Sequence, residues 1–320
     1  MTPITPEQLA LDIDRFLAFK RALGYDYARG EQRLRSFQHY VTAQVSGAPS
    51  VGLEALVNGW LSRIAGRQPI TVCLELGVLR QLCRYRQRAD PHSFVPGRDC
   101  GPPSGRSHFL PYIFSPEEVR AIVLAANDYH GRLIAPTTLR TLLLIVYCTG
   151  LRLGEAVRLQ LRDVTLEPGV FTVRKSKGKT RLVPFRHDLA LVLADYLTAQ
   201  TARLSMDATA PFLVCTSGDA LSLHAASAAI RQVLRTLGLK PPRGRRGPRP
   251  YDLRHAFAVH RLTAWCHEGV DLHARLPWLS AYMGHDNVRG TEVYLHATAE
   301  LMGLASTRFQ ARFQVAGRQP

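Results

Sequence analysis

The stretch LLLIVYCTGLRLGE, residues 142–155, is the place to begin reading. Seven apolar residues, Leu142 to Cys148, run into Thr149 and stop at Gly150, the residue type that most readily closes a helix in the left-handed conformation. The run is far shorter than the ~18 residues of a bilayer span, so it reads as a buried helix. Arg152 follows the break, and Glu155 stands three residues on, where a carboxylate can hold a guanidinium. Alone, such an Arg–Glu pair is also common surface decoration.

Upstream, Ser115-Pro-Glu-Glu118 reads as a helix start, with Phe114 and Val119 as the flanking apolar pair. Thr5-Pro-Glu-Gln8 repeats the device with Ile4 and Leu9, so each is expected to open a domain. The first helix carries Leu9, Ile13, Phe16 and Leu23 on one stripe and stops at Gly24. A second follows with Leu34, Phe37 and Val41 inward, then segments near 53–64 and 70–87. Residues 1–95 are therefore expected to form a helical domain. Residues 91–113 carry five Pro and three Gly without periodicity, and the linker is placed at 96–111. Downstream of the decisive stretch, Asp163–Leu166, Val170–Arg174 and Thr180–Pro184 read as three short strands. Helices are expected near 188–204, 222–237, 252–266, 274–284 and 298–314. The fold class is mainly α: a helical N-terminal domain, then a mostly helical domain over 112–320 with a small antiparallel sheet.

The 320 residues carry 41 Lys+Arg against 25 Asp+Glu, a net charge of +16. Such a balance favours nucleic acid first and acidic membrane surfaces second. The excess is clustered. Residues 174–186 hold Arg174, Lys175, Lys177, Lys179, Arg181 and Arg186 with no acid, and residues 231–261 hold nine basic residues against Asp252 alone. Within the latter, Lys240, Arg243, Arg245, Arg246 and Arg249 alternate with Pro and Gly, which suits a loop that tracks phosphates and argues against a helix. The N-terminus shows no basic region ahead of an apolar block, so no signal peptide is expected. The six cysteines form no CxxC pair, as fits reduced thiols in a cytoplasmic, nucleoid-associated protein.

Three more segments carry candidate chemistry. Arg254 and His255 lie in Tyr251-Asp-Leu-Arg-His-Ala-Phe257, His285 follows Met283-Gly284, and Tyr294 stands nine residues later. Singly, each has a bland reading as a packed or surface group. In order, the set reads Arg-x-x-Glu, a basic hairpin, Asp-Leu-Arg-His, then Gly-His with a Tyr nine residues on. This set resembles the tyrosine site-specific recombinases of the phage integrase family over roughly 112–300, and the N-terminal piece is similar in size to that family's core-binding domain.

The resemblance implies roles. Tyr294 would attack the scissile phosphate and leave a 3′-phosphotyrosine. Arg152 and Arg254 would hold the non-bridging oxygens, as forked guanidiniums suit. Glu155 would orient Arg152, His285 would hydrogen-bond the phosphate or accept a proton, and His255 would support from behind. The bond energy is stored on the tyrosine, so the resemblance implies no cofactor, and neither a nucleotide-binding loop nor a metal-ligand cluster is found. There are two departures from the family pattern. The hairpin is one residue short, which leaves Ser176 or Lys177 at the general-acid position; Lys177, beside Gly178, is taken as the acid, with Lys175, Lys179 and Arg181 as DNA contacts beside Arg243, Arg245 and Arg246. The second departure is Tyr251, where most relatives carry His.

The implied partners are double-stranded DNA recombination sites, held by a tetramer on two sites, with accessory DNA-bending proteins or partner recombinases possible and no membrane. A tail stripe of Met302, Ala305, Phe309 and Phe313 fits docking on a neighbour or on its own domain. A type IB topoisomerase and a catalytically idle synapsis protein are the competing readings.

Overall fold

The computed structural model describes residues 4–45, 51–63, 67–97, 99–103, 111–176, 179–200, 207–244, 246–296, 302–304, 306–307 and 310. The chain divides into two compact units, 1–109 and 110–320.

Among its described residues, the first unit packs four helices: α1 (Pro6–Ala22), α2 (Ala28–Val45), α3 (Leu53–Ser62) and α4 (Pro69–Arg86). The Thr5 hydroxyl caps α1 by accepting from the Gln8 amide, and Ile4 is buried beside Leu9. Leu9, Ile13 and Phe16 face inward with Leu34, Phe37, Val41 and Trp60. Leu23 does not join them. The helix ends at Ala22, and the chain turns at Gly24 with φ +81°, which leaves Leu23 56% exposed.

The second unit opens with α5 (Pro116–Ala125), whose Ser115 and Glu118 form a complete capping box, with Phe114 and Val119 buried on either side of it. Helix α6 (Pro136–Thr149) runs through the core between α8 (His187–Ala199) and α10 (Asp252–His267), which is why it is apolar on almost every side. Leu139, Leu142, Leu143 and Ile145 have no exposed surface. A four-residue turn of helix, α7 (Leu153–Ala156), follows Gly150. Asp163 belongs to a 3-10 turn rather than to the first strand.

Strands β1 (Val164–Thr165), β2 (Val170–Ser176) and β3 (Lys179–Pro184) make an antiparallel sheet in that order. Val173 pairs with Arg181 and Phe171 with Val183. The two-residue period puts Arg181 on the same face as buried Val183, and Leu182 on the other face, 65% exposed. Helix α9 (Leu223–Thr236) closes one side of the core, and α11 (Leu272–Met283) packs on α10 and β3. Helix α12 (Arg289–Glu292) leads into the 3-10 turn Val293–His296. Of the tail stripe only Met302 falls among the described residues; it is exposed.

Candidate active site

Two helices end on glycine, and both endings offer carbonyls to Arg254, the second also to Arg152. Gly150 closes α6 at φ +61°, and Gly284 closes α11 at φ +69°. In this conformation the last carbonyls of each helix swing free of the ladder, carrying the negative end of the helix dipole. Arg254, with no exposed surface, donates from Nη1 to Gly150 O at 2.5 Å and from Nη2 to Met283 O at 2.7 Å. Its Nε has no hydrogen-bond partner among the described residues. Arg152 donates from Nη2 to Gly284 O at 2.8 Å. Each glycine is required twice over: a Cβ at 150 would run into the Phe257 ring, and one at 284 into the Arg181 guanidinium.

Glu155 is the hub beneath Arg152. It is 3% exposed and accepts from Arg152 Nη1 at 2.7 Å and from the Arg152 amide at 3.0 Å. Arg181 grips the same carboxylate with both Nη atoms, at 3.2 and 2.8 Å, and gives its Nε to Tyr282 O at 3.0 Å. Arg181, expected among the DNA contacts, is thus an internal brace, placed there by its inward register on β3.

Tyr294, on the 3-10 turn, is 2% exposed. Its hydroxyl lies 2.9 Å from His255 Nδ1, and its ring packs against those of His255 and His285. Burial pushes the phenol up to about 12, against the opposing pull of Arg254 and Arg152. Burial likewise pushes His255 down to about 4, with Asp252 opposing and Arg249 and Arg254 adding to the fall. Arg254 is also lowered, by burial first. His285 lies with Nδ1 2.7 Å from Thr291 Oγ1, just past the Gly284 break. Tyr251 sits at the head of α10, 40% exposed, with its ring edge-on to His255 at 4.9 Å.

Tyr294, Arg152, Arg254, Glu155, His255 and His285 are therefore brought together, and Tyr251 joins them at the rim. Lys177 and Arg245 lie outside the described residues, as do the side chains of Lys175 and Lys179. Arg243 and Arg246 are exposed on the loop before α10. That loop is stapled by Lys240, which is 3% exposed and donates from Nζ to Arg246 O at 2.6 Å and Pro248 O at 3.2 Å. Sequence reasoning passed over Asp252, a buried carboxylate that accepts from the Arg249 amide at 2.7 Å and Nη2 at 3.1 Å. Its one signal was the i,i+3 spacing to His255.

A mostly helical domain carrying a three-stranded antiparallel sheet, with arginines from two helix ends around a tyrosine, is the catalytic fold of a tyrosine recombinase. The sequence pattern of the phage integrase family matches residues 113–300. "Putative integrase/recombinase y4rB" of Sinorhizobium fredii is 32% identical over 313 residues, 94% of this chain and 97% of that one. The fold is similar to that of XerH site-specific recombinase bound to difH substrate, with TM-score 0.66 and 19% identity over 92% of this chain and 95% of that one. It is also similar to a lambda integrase tetramer bound to a Holliday junction, with TM-score 0.57 and 18% identity over 87% and 77%. The chain belongs to the phage integrase family, and its enzyme class is that of the tyrosine recombinases. No helix among the described residues is long and apolar enough to cross a membrane.

Proposed function

We propose that this protein is a site-specific recombinase that cuts and rejoins duplex DNA through a 3′-phosphotyrosine on Tyr294. The observation that carries the reading is the convergence of a buried phenol with Arg254 and Arg152, whose guanidiniums are fixed by the carbonyls that end α6 and α11. Fixed cations are what a pentacoordinate phosphate needs, because they stabilise charge as it develops without reorganising. Glu155 and Arg181 hold Arg152 in place, and His285 donates to the phosphate. Tyr251 adds a neutral hydrogen bond at the rim. Lys177 protonates the leaving 5′-oxygen, while Lys175, Lys179, Arg243, Arg245 and Arg246 contact the backbone.

Residues 1–95 serve as the core-binding domain and 112–320 as the catalytic domain. Four protomers act on two sites, by analogy with the lambda integrase tetramer, and the likeness to an integrase/recombinase favours service to a mobile element. A substrate with a 5′-bridging sulfur leaving group, which needs no proton, tests the hairpin. Lys177→Ala should slow cleavage of ordinary DNA far more than that of the sulfur substrate; rescue of Lys179→Ala instead would move the acid by two residues. Tyr294→Phe should lose strand cleavage while keeping DNA affinity, and a cleaving Tyr294→Phe protein would end the reading.

A further inference from the structure

We propose that His255 is the group that takes the proton from Tyr294, and that Asp252 fixes which ring nitrogen does so. This rests on the reading of Tyr294 as the nucleophile. His255 Nδ1 is 2.9 Å from the Tyr294 hydroxyl, within the reach required of a general base. The opposite nitrogen, Nε2, lies 3.8 Å from Asp252 Oδ1. That is too long for a hydrogen bond, but the buried carboxylate still sets the direction of the field. It favours the proton on Nε2 and leaves the Nδ1 lone pair for the phenol.

Asp252 is itself held by the amide and Nη2 of Arg249, so the carboxylate cannot swing away. His285 spends its Nδ1 on Thr291 Oγ1. Three residues before Arg254 stands Tyr251, whose ring packs edge-on against His255.

The imidazole is neutral at neutral pH, so its lone pair is available without prior deprotonation. The transfer is uphill in the free protein and must accompany bond formation to phosphorus. The arriving phosphate anion offsets Arg254, one of the two guanidiniums that depress the imidazole. In the step itself, the Tyr294 oxygen bonds to phosphorus as its proton passes to His255 Nδ1. The P–O5′ bond breaks, and the 5′-oxygen takes its proton from the hairpin acid. On rejoining, the 5′-hydroxyl attacks phosphorus and returns its proton to the hairpin acid, the bond from phosphorus to the Tyr294 oxygen breaks, and the imidazolium returns the proton to the phenolate.

His255→Asn separates a base from a packing residue, because the amide oxygen can accept the phenol's hydrogen bond but cannot keep its proton. Single-turnover cleavage of a nicked suicide duplex by His255→Asn should fall by about 10²–10⁴-fold, with melting temperature and DNA affinity at wild-type levels. The 5′-sulfur substrate should not restore it, since the defect lies on the attacking side. Asp252→Asn should slow wild-type cleavage but add little in the His255→Asn background, as befits a positioning residue. Imidazole should partly restore His255→Ala. Cleavage by His255→Asn within threefold of wild type would overturn the proposal, as would rescue by the sulfur leaving group. If Tyr294→Phe also cleaves, the nucleophile reading has failed; if it does not, this proposal alone has.

Discussion

Arg181 shows what a charged side chain does when its register turns inward. Sequence alone places it in a cationic hairpin, yet its donors end on Glu155 and on the Tyr282 carbonyl. Each phosphate contact adds about one to the slope of log affinity against log salt. Arg181→Ala should therefore leave that slope unchanged while slowing cleavage about tenfold or more, since Arg152 loses its brace; a slope reduced by one would return Arg181 to the DNA contacts. His255 makes a prediction about stability. Its folded value near 4 is depressed from the usual 6.5, so the unfolded chain binds that proton more tightly. The stabilisation is present above about pH 6.5 and is lost as pH falls from there towards 4, at most about 3 kcal/mol. In urea melts, wild type should lose more stability than His255→Asn between about pH 7 and pH 4.5; parallel losses would contradict this origin. The residues that the sequence singled out and the structure brings together, Arg152, Glu155, Arg254, His285 and Tyr294, are those with fixed spacing inside short motifs. Asp252 was not, because a single acid at a helix start looks like ordinary first-turn decoration.

Helix ends organise this site, and at that scale the sequence was most informative. Gly150 announced its helix's ending, and Ser115 and Thr5 announced their beginnings, because capping is local chemistry. What local chemistry could not supply was that the two glycine ends, 134 positions apart, would offer carbonyls to arginines from other elements, Arg254 of α10 and Arg152 at the head of α7; that depends on how α6, α10 and α11 pack. The four-residue α7 was also hidden, being too short to show a period. Leu23 misled for a related reason: the apolar stripe continues past the point where Gly24 has already turned the chain. Gly150→Ala should cost about 1–3 kcal/mol from the left-handed backbone, plus the displacement of Phe257. Because Gly150 O anchors Arg254, its cleavage rate should fall at temperatures where the variant is still folded. A variant with lowered melting temperature but full activity would show that Arg254 does not need that carbonyl.

Across the whole molecule, charge and fold point to the same partner. A surplus of +16 is concentrated on the hairpin and on the loop stapled by Lys240. DNA binding should accordingly weaken steeply with salt, and a flat dependence would argue against backbone contact by these segments. The central claim is narrower: one buried phenol becomes covalently joined to DNA. The direct measurement is to trap the protein on a nicked suicide duplex, digest it, and map the DNA-bearing peptide by mass spectrometry. The account predicts a 3′-phosphate ester on Tyr294, formed by wild type and missing from Tyr294→Phe at equal DNA occupancy. An adduct on any other residue, or no adduct from wild-type protein that binds the duplex, would contradict it.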